Sequence, residues 1–150
     1  MRISTKGRYG TRLMLQLAMN YKKGPILLKT IAKNEDISEG YLQHIIDALK
    51  GNGLVLSNRV GHGGYTLARR PEEINLRDIL KALEGSINLS ECVDNPDICT
   101  RSPECTTRDV WSEVCKKFSQ SLSEITLKDM VKRNSTKKTI YSFYNLILSF

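Results

Sequence analysis

Three patterns in the 150-residue sequence predict a mainly α-helical fold with a small β wing. Two short amphipathic helices joined by a tight turn end near residue 51. A short hairpin pattern follows at once, with glycines between its two strands. A long amphipathic helix begins at about residue 107. In this order, the patterns predict a winged helix-turn-helix followed by a long dimerisation helix.

The first three helices are defined by their caps and their apolar spacing. Ser4 can cap the first helix, which is stopped by Gly24 and Pro25. Its inward side recurs at helical spacing, as Tyr9, Leu13, Leu17 and Tyr21. The segment "ILLKTIAKN" predicts a short second helix. Ser38 then caps a third helix, "EGYLQHIIDALKGNG", which ends at its glycines.

The hairpin and the fourth helix complete the predicted domain. The segments "LVLSNRV" and "YTLARR" read as two strands around the turn "GHGG", with Arg59 at the shoulder and His62 at the tip. A fourth helix is capped by Asn75 and ends at Gly85. These features predict a winged helix-turn-helix DNA-binding domain over residues 1–85.

Three further segments follow this domain. Residues 86–106 form a cysteine-bearing cluster loop, 107–132 a dimerisation helix with a short helical cap, and 133–150 a tail that could be a docking helix or an exchanged strand. The long helix carries one apolar stripe, formed by Val110, Trp111, Val114, Phe118, Leu122 and Ile125. The stripe could cover its own domain, but its length for so small a core favours a homodimer.

The charge distribution favours a polyanionic partner. The net charge is +7, and residues 1–34 contain eight Lys and Arg but no Asp or Glu. A solvated basic helix face is the alternative. No leader pattern and no apolar run of roughly 20 residues is present, which predicts a cytoplasmic protein without a membrane span. In that reducing compartment, clustered cysteines indicate metal ligands or redox sensors.

Three of the four cysteines, Cys92, Cys99 and Cys105, lie in "ECVDNPDICTRSPEC". Soft thiolates on a polar loop suit an iron–sulfur cluster, zinc or Cu(I). The gaps of six and five residues are wider than those of usual zinc sites. A cluster is therefore favoured, and zinc or a metal-free thiol switch stays open. Cys115, on the long helix, is interpreted as a core residue.

The sequence resembles the IscR-type winged-helix transcriptional repressors, the superfamily that includes NsrR and CymR. The resemblance rests on "STKGRYGTRLMLQLA", "IAKNEDISEGYLQHIIDALKGNGLV", "GGYTLAR", "LEG", "DVW" and "ITLKDMV". CymR-like members lack the three thiols, so the resemblance is to the cluster-binding branch. It implies a dimeric DNA-binding regulator that senses cluster status, iron, oxygen or nitric oxide, with a [2Fe-2S] cluster favoured over [4Fe-4S].

The fourth cluster ligand departs from the pattern of these relatives. They use a His three residues after the third cysteine, or an Asp near the N-terminus of the other subunit. Here those positions are Arg108 and Arg8, and a guanidinium cannot be a ligand. The candidates in this chain are Asp109, Glu104 and Glu91.

The resemblance also implies how the domain meets DNA. The third helix would enter the major groove, the wing would reach a minor groove, and a two-fold dimer would require a palindromic operator. Gln43 and His44 are expected to read base edges. The full set of expected DNA contacts is Lys6, Tyr9, Ser38, Gly40, Tyr41, Gln43, His44, Lys50, Arg59, Gly61, His62 and Gly63.

Other classes of function are less well supported. An enzyme with a Cys nucleophile and a His base is disfavoured, because both histidines fall on segments expected to face DNA. A metal-free or zinc-binding thiol repressor of cysteine metabolism or redox state is one alternative. A regulator that binds a partner protein through the apolar helix and the aromatic tail is the other.

Overall fold

A computed structural model describes residues 3–59 and 63–148, with side chains up to residue 141. Its helices and strands, in chain order, are α1 Thr5–Met19, α2 Leu28–Glu35, α3 Glu39–Gly51, β1 Val55–Asn58, β2 Gly64–Leu67, α4 Leu76–Glu84, α5 Glu91–Asp94, α6 Thr106–Ser123 and α7 Leu127–Leu148. Single 3-10 turns lie at Pro71–Glu73, Pro96–Ile98 and Ser102–Glu104. The predicted fold class is confirmed: the chain is mostly helical with one small antiparallel hairpin.

The predicted caps begin the helices that define the domain. The Ser4 side chain accepts a hydrogen bond from the Gly7 N–H at the start of α1. Ser38 does the same for the Tyr41 N–H in α3, and Asn75 for Asp78 in α4. Each cap satisfies a donor that would otherwise lack a helical partner.

The core joins α1, α2, α3 and α4. The predicted inward face of α3 is buried, whereas Tyr9 and Tyr21 from the predicted face of α1 are half-buried at the edge of the core. The side chains with essentially no exposure include Leu13, Met14, Ile31, Leu42, Ile45, Ile46, Leu49 and Ile79. Gly10 allows α1 to approach α4 closely, since a Cβ there would lie 2.2 Å from Leu83 Cδ1. This approach fixes the position of α4, from which the cysteine loop departs.

The wing is tied to the chain before α2. Strands β1 and β2 are antiparallel: Val55 pairs with Leu67 at one end and Asn58 pairs with Gly64 at the other. Ile26 and Tyr65 form an additional bridge, in which Ile26 N donates to Tyr65 O at 3.0 Å and Tyr65 N donates to Ile26 O at 2.8 Å. The predicted tip residues Gly61 and His62 lie outside the described residues.

The chain returns to the start of α4 after the cysteine loop and α6. Leu76 N donates to Ile125 O, and Leu127 N donates to Ile74 O, each at 2.9 Å. Leu127 is fully buried in the same hydrophobic core as α1 and α3. These backbone hydrogen bonds therefore hold the two ends of the segment from Leu76 to Leu127 beside each other.

Helix α7 differs from the short cap and separate tail that the sequence predicts. It runs without interruption for 22 residues, from Leu127 to Leu148. The polar stretch "KRNSTKK" contains no Gly or Pro, and Lys and Arg are good helix formers, so it continues the helix. Thr126 and Asp129 cap its start reciprocally: Asp129 Oδ2 accepts from Thr126 N, and Thr126 Oγ1 accepts from Asp129 N. No helix in the described ranges is long and apolar enough to cross a membrane.

Candidate nucleic-acid interface and cysteine loop

The N-terminal part of α3 presents the residues that were expected to contact DNA. Ser38, Gly40 and His44 are exposed, whereas Tyr41 is half-buried. The Tyr41 ring meets the Tyr9 ring edge to face, with centroids 6.0 Å apart. This contact joins the start of α3 to α1.

Gln43 is less free than its sequence position suggested. Tyr65, on the wing, donates its hydroxyl hydrogen bond to Gln43 Oε1 at 3.2 Å. Gln43 Nε2 donates to Asp47 Oδ1 at 3.0 Å, one turn further along α3. One amide hydrogen and one lone pair remain for a base. No local sequence pattern indicates this role of Tyr65, because only the fold brings the wing against α3.

A basic groove lies between α2, α3 and the wing. It is lined by the cations Lys29, Lys50 and Arg59, with Glu39 as the one carboxylate of its lining. Lys50 and Arg59 were predicted DNA contacts. Lys29 was not, although it belongs to the acid-free basic run of the first 34 residues. The other predicted wing contact in the described chain, Gly63, has a positive φ of 70° and lies just before β2.

The basic residues of α1 surround Tyr9. The guanidinium carbons of Arg8 and Arg12 lie 6.0 and 5.6 Å from the centre of its ring. Arg12 Nε also pairs with Glu35 Oε2 at 2.5 Å, which neutralises its charge locally. Lys6, one turn before Tyr9, is half-buried on the same helix.

The three clustered cysteines lie on short helical turns of one surface loop. Cys92 lies in α5 and is half-buried, Cys99 is exposed after Pro96–Ile98, and Cys105 is half-buried directly before α6. In the described chain, no three His, Cys, Asp or Glu side chains are grouped closely enough to hold a metal ion. The structure thus places the thiols on one loop without assembling them.

The Cys105 thiol has an environment that favours the thiolate. Its Sγ lies 3.1 Å from Thr107 Oγ1. The pKa of Cys105 is lowered by hydrogen bonds from the Thr107 side chain and from the backbone N–H of Arg108, at the start of α6. A thiolate at this position is suited to bind a metal or to react with an oxidant.

Arg108 holds the loop against α6. Its Nε donates to the backbone oxygen of Cys92 at 2.9 Å. The three candidates for a fourth ligand, Asp109, Glu104 and Glu91, are all exposed. Ser102 lies two residues before Glu104 in the loop, and its buried Oγ has no hydrogen-bond partner in the described residues.

Cys115 is a core residue, as predicted, whereas the predicted apolar stripe of α6 is only partly buried. Cys115 is buried, and its Sγ accepts a hydrogen bond from Leu89 N at 3.3 Å. Leu122, from the predicted apolar stripe, is also buried. Val110, Trp111 and Val114 are instead 53%, 46% and 40% exposed. A contiguous apolar face of this kind on one helix is typical of a surface that another chain covers.

Comparison with known proteins gives consistent results. A family model described as "Rrf2: Iron-dependent Transcriptional regulator" matches residues 3–133. Protein rrf2 of Nitratidesulfovibrio vulgaris is 36% identical over 88% of each chain. The regulator CymR of Bacillus subtilis is 35% identical over 96% of this chain and 99% of its own. The solved structure of IscR from T. potens is 39% identical over 89% of this chain and 88% of that one, with a TM-score of 0.72.

The fold and the exposed basic helix-turn-helix define a winged-helix regulator of transcription rather than an enzyme. The chain belongs to the Rrf2 family of transcriptional regulators. Its relatives include IscR proteins and also CymR, whose structure is described as that of the global cysteine regulator of B. subtilis. Membership of the family therefore does not determine which signal this chain senses.

Proposed function

We propose that this protein is a cytoplasmic, dimeric DNA-binding repressor that senses iron–sulfur cluster status through Cys92, Cys99 and Cys105. The observation that carries the proposal is the position of the three thiols. They share one surface loop that leaves the winged helix at Gly85 and enters α6, which carries the exposed apolar face. A change in this loop would reach both the DNA-binding and the subunit-contacting elements.

The DNA-binding part of the proposal places the exposed end of α3 in the major groove. His44 and the remaining donor and acceptor of Gln43 would read base edges there, while Tyr9 and Tyr41 would contact phosphates. The basic groove of Lys29, Lys50 and Arg59 would follow the backbone beside the wing. Since phosphate contacts supply affinity without sequence information, these cations position the protein and α3 specifies the site.

The dimer would form through Val110, Trp111 and Val114 of two α6 helices. Burying these exposed apolar side chains is favourable, and a two-fold interface brings the same face of each chain together. Two α3 helices related by this axis would require a palindromic operator.

The chemistry of the cysteine loop fits a cluster, although its described arrangement does not gather the ligands. Cys92, Cys99 and Cys105 would hold the cluster, which would supply an oxygen- and redox-sensitive group. The loop consists of short turns rather than long elements, so bringing the thiols together requires rearrangement of those turns. Arg108 donates to the Cys92 carbonyl, and that contact limits the movement of the first thiol toward the others.

The absorption spectrum and the iron and sulfide content of anaerobically purified protein test this proposal. Visible charge-transfer bands with equal iron and sulfide are expected. Single Cys→Ala changes at 92, 99 and 105 should each remove the bands, whereas Cys115→Ala should keep them. Colourless protein that cannot be reconstituted, or three variants that all retain iron, would show the proposal to be wrong.

A metal-free thiol switch is the second candidate, and the lowered pKa of Cys105 specifically favours it. A thiolate reacts with oxidants far more readily than a thiol does. This alternative predicts that hydrogen peroxide changes operator affinity in iron-free protein and that Cys105→Ser abolishes the response. A cluster sensor predicts no such response without iron.

A further inference from the structure

A polar groove lies on the flank of α6 that faces the loop after α4. One wall comes from α4, one from the loop and one from α6. The lining residues are Arg77, Asn88, Val93, Ser112, Cys115, Lys116, Ser119, Gln120 and Ser123. Neither the expected DNA contacts nor the three clustered thiols contribute to it.

The charged side chains that line the groove are both positive. Arg77 and Lys116 are both exposed, and neither forms an ion pair among the described residues. No carboxylate lines the groove. Two lining amides donate to carboxylates that are not part of the lining: Asn88 Nδ2 donates to Asp94 Oδ1 at 2.6 Å, and Gln120 Nε2 donates to Glu124 Oε1 at 3.2 Å.

The rest of the lining supplies neutral hydrogen-bond donors around a small apolar patch. Ser112, Ser119 and Ser123 follow one another at helical spacing along α6, so they lie along one side. The Ser123 hydroxyl donates to Gln120 O at 2.7 Å within the helix, which leaves Ser112 and Ser119 as hydroxyl donors to the groove. Val93 and the buried Cys115 form the patch. Two cations, two hydroxyls and a short apolar surface match a small organic molecule with a charged group at each end.

The proposed dimer would leave this groove open. Val114 lies on the exposed apolar face of α6, and Ser119 lies in the groove. The two residues are five positions apart, which is a rotation of roughly 140° about a helix of 3.6 residues per turn. A partner helix that covers Val114 therefore approaches α6 from a different side.

We propose that this groove binds a small organic anion with at least two negative charges, such as a dicarboxylate. Arg77 and Lys116 would each bind one charged end, and the serine hydroxyls would orient the molecule between them. Two residues of the groove, Asn88 and Val93, belong to the start of the cysteine loop. A bound anion would thus contact the segment that carries Cys92, so the regulator would respond to a metabolite as well as to its thiols.

Calorimetric titration of the full-length protein tests the site, with succinate, citrate and inorganic phosphate as probes. Succinate or citrate should bind once per chain, and binding of phosphate alone would contradict a site for an organic anion with two charged ends. Butyrate, which matches succinate in carbon number but carries one charge, should bind at least about tenfold more weakly than succinate, because it loses one charge-assisted hydrogen-bonding group. Failure of all three anions to saturate the protein at millimolar concentration would overturn the proposal.

Two double variants locate the binding. Arg77→Ala with Lys116→Ala should weaken binding at least about tenfold. Lys81→Ala with Lys128→Ala removes the same charge from exposed positions of α4 and α7 and should leave binding unchanged. Lys29→Ala with Lys50→Ala tests for anion capture at the DNA-facing groove. Equal loss in all three variants, or loss only in the last, would show that the groove is not the site.

Discussion

Gln43 is the residue whose surroundings most restrict how α3 can contact a base. Tyr65 and Asp47 together engage one lone pair and one hydrogen of its side-chain amide. An amide fixed in this way keeps its remaining donor and acceptor in one orientation, and such fixed pairs discriminate bases better than mobile ones do. In the proposed DNA complex, the wing would therefore contribute to specificity through Tyr65 without contacting the base.

Tyr65→Phe tests this positioning role. Loss of the hydroxyl removes a bond worth about 1 kcal/mol, so discrimination at one operator position should fall about fivefold. Affinity measurements against single-base operator variants report this change. Tyr41→Phe serves as the contrast, because loss of a proposed phosphate contact should weaken binding to every sequence equally. A uniform loss for Tyr65→Phe would contradict the role given to Gln43.

Arg108 lies three residues after Cys105, where the resemblance to cluster-binding regulators implies a His ligand. Arg108→His should supply a fourth ligand and also remove the bond that holds the Cys92 carbonyl. We expect the visible bands of the anaerobically prepared cluster to decay several-fold more slowly in air than those of the unmodified protein. Arg108→Ala removes the same bond without adding a ligand and should not slow the decay. Equal decay of Arg108→His and Arg108→Ala would show that residue 108 does not reach the cluster.

The contact of α1 with α4 depends on Gly10. A methyl group at this position would lie 2.2 Å from Leu83 Cδ1 and 3.2 Å from Ile45 Cγ2, inside the core. Gly10→Ala should therefore lower the free energy of unfolding by about 1–3 kcal/mol through overpacking. Gly40→Ala, where a Cβ meets no atom within 4 Å, should raise it by up to about 1 kcal/mol. Urea denaturation measures both values.

The exposed face of α6 gives a direct test of the dimer. Trp111→Glu places a charge where apolar contact is proposed, and buried Trp residues often contribute more than about 2 kcal/mol to an interface, or about 30-fold in affinity. Sedimentation equilibrium should show mainly monomer for this variant. Gln120→Glu adds the same charge nine residues later, roughly on the opposite side of the helix, and should stay dimeric. A dimeric Trp111→Glu protein would place the interface elsewhere.

The elements differ in how far the sequence predicts them. Three helix starts are predicted correctly from the capping residues Ser4, Ser38 and Asn75. Capping can be predicted because it depends only on one side chain and the backbone beside it. The 22-residue length of α7 is not predicted, because a polar stretch interrupts the apolar pattern although it contains no helix-breaking residue. The Tyr65–Gln43 bond is not predicted for another reason: it joins residues 22 positions apart, and only tertiary packing determines it.

For the whole molecule, the distribution of positive charge predicts how DNA affinity depends on salt. A dimer with about 6–10 phosphate contacts should lose roughly 10³- to 10⁵-fold in affinity between 50 and 200 mM salt. Lys50→Ala removes one proposed contact from each subunit, so the slope of log affinity against log salt should fall by about 2. Lys128→Ala, on the exposed side of α7, should not change the slope. A slope near zero for the unmodified protein would contradict a DNA-binding role.

The closed ends of the segment between α4 and α7 have a consequence for how such a regulator can diversify. Because the backbone bonds of Leu76 and Leu127 hold those ends beside each other, the winged helix meets the intervening chain at one fixed junction. Inside that junction, loops can be lengthened, shortened or exchanged at little entropic penalty, since loop closure depends only weakly on length. Under the proposed function, the fold thus separates a DNA reader, which includes α4, from the segment that follows it. We expect that the corresponding segment of another regulator can replace residues 86–126 without unfolding the DNA-binding domain.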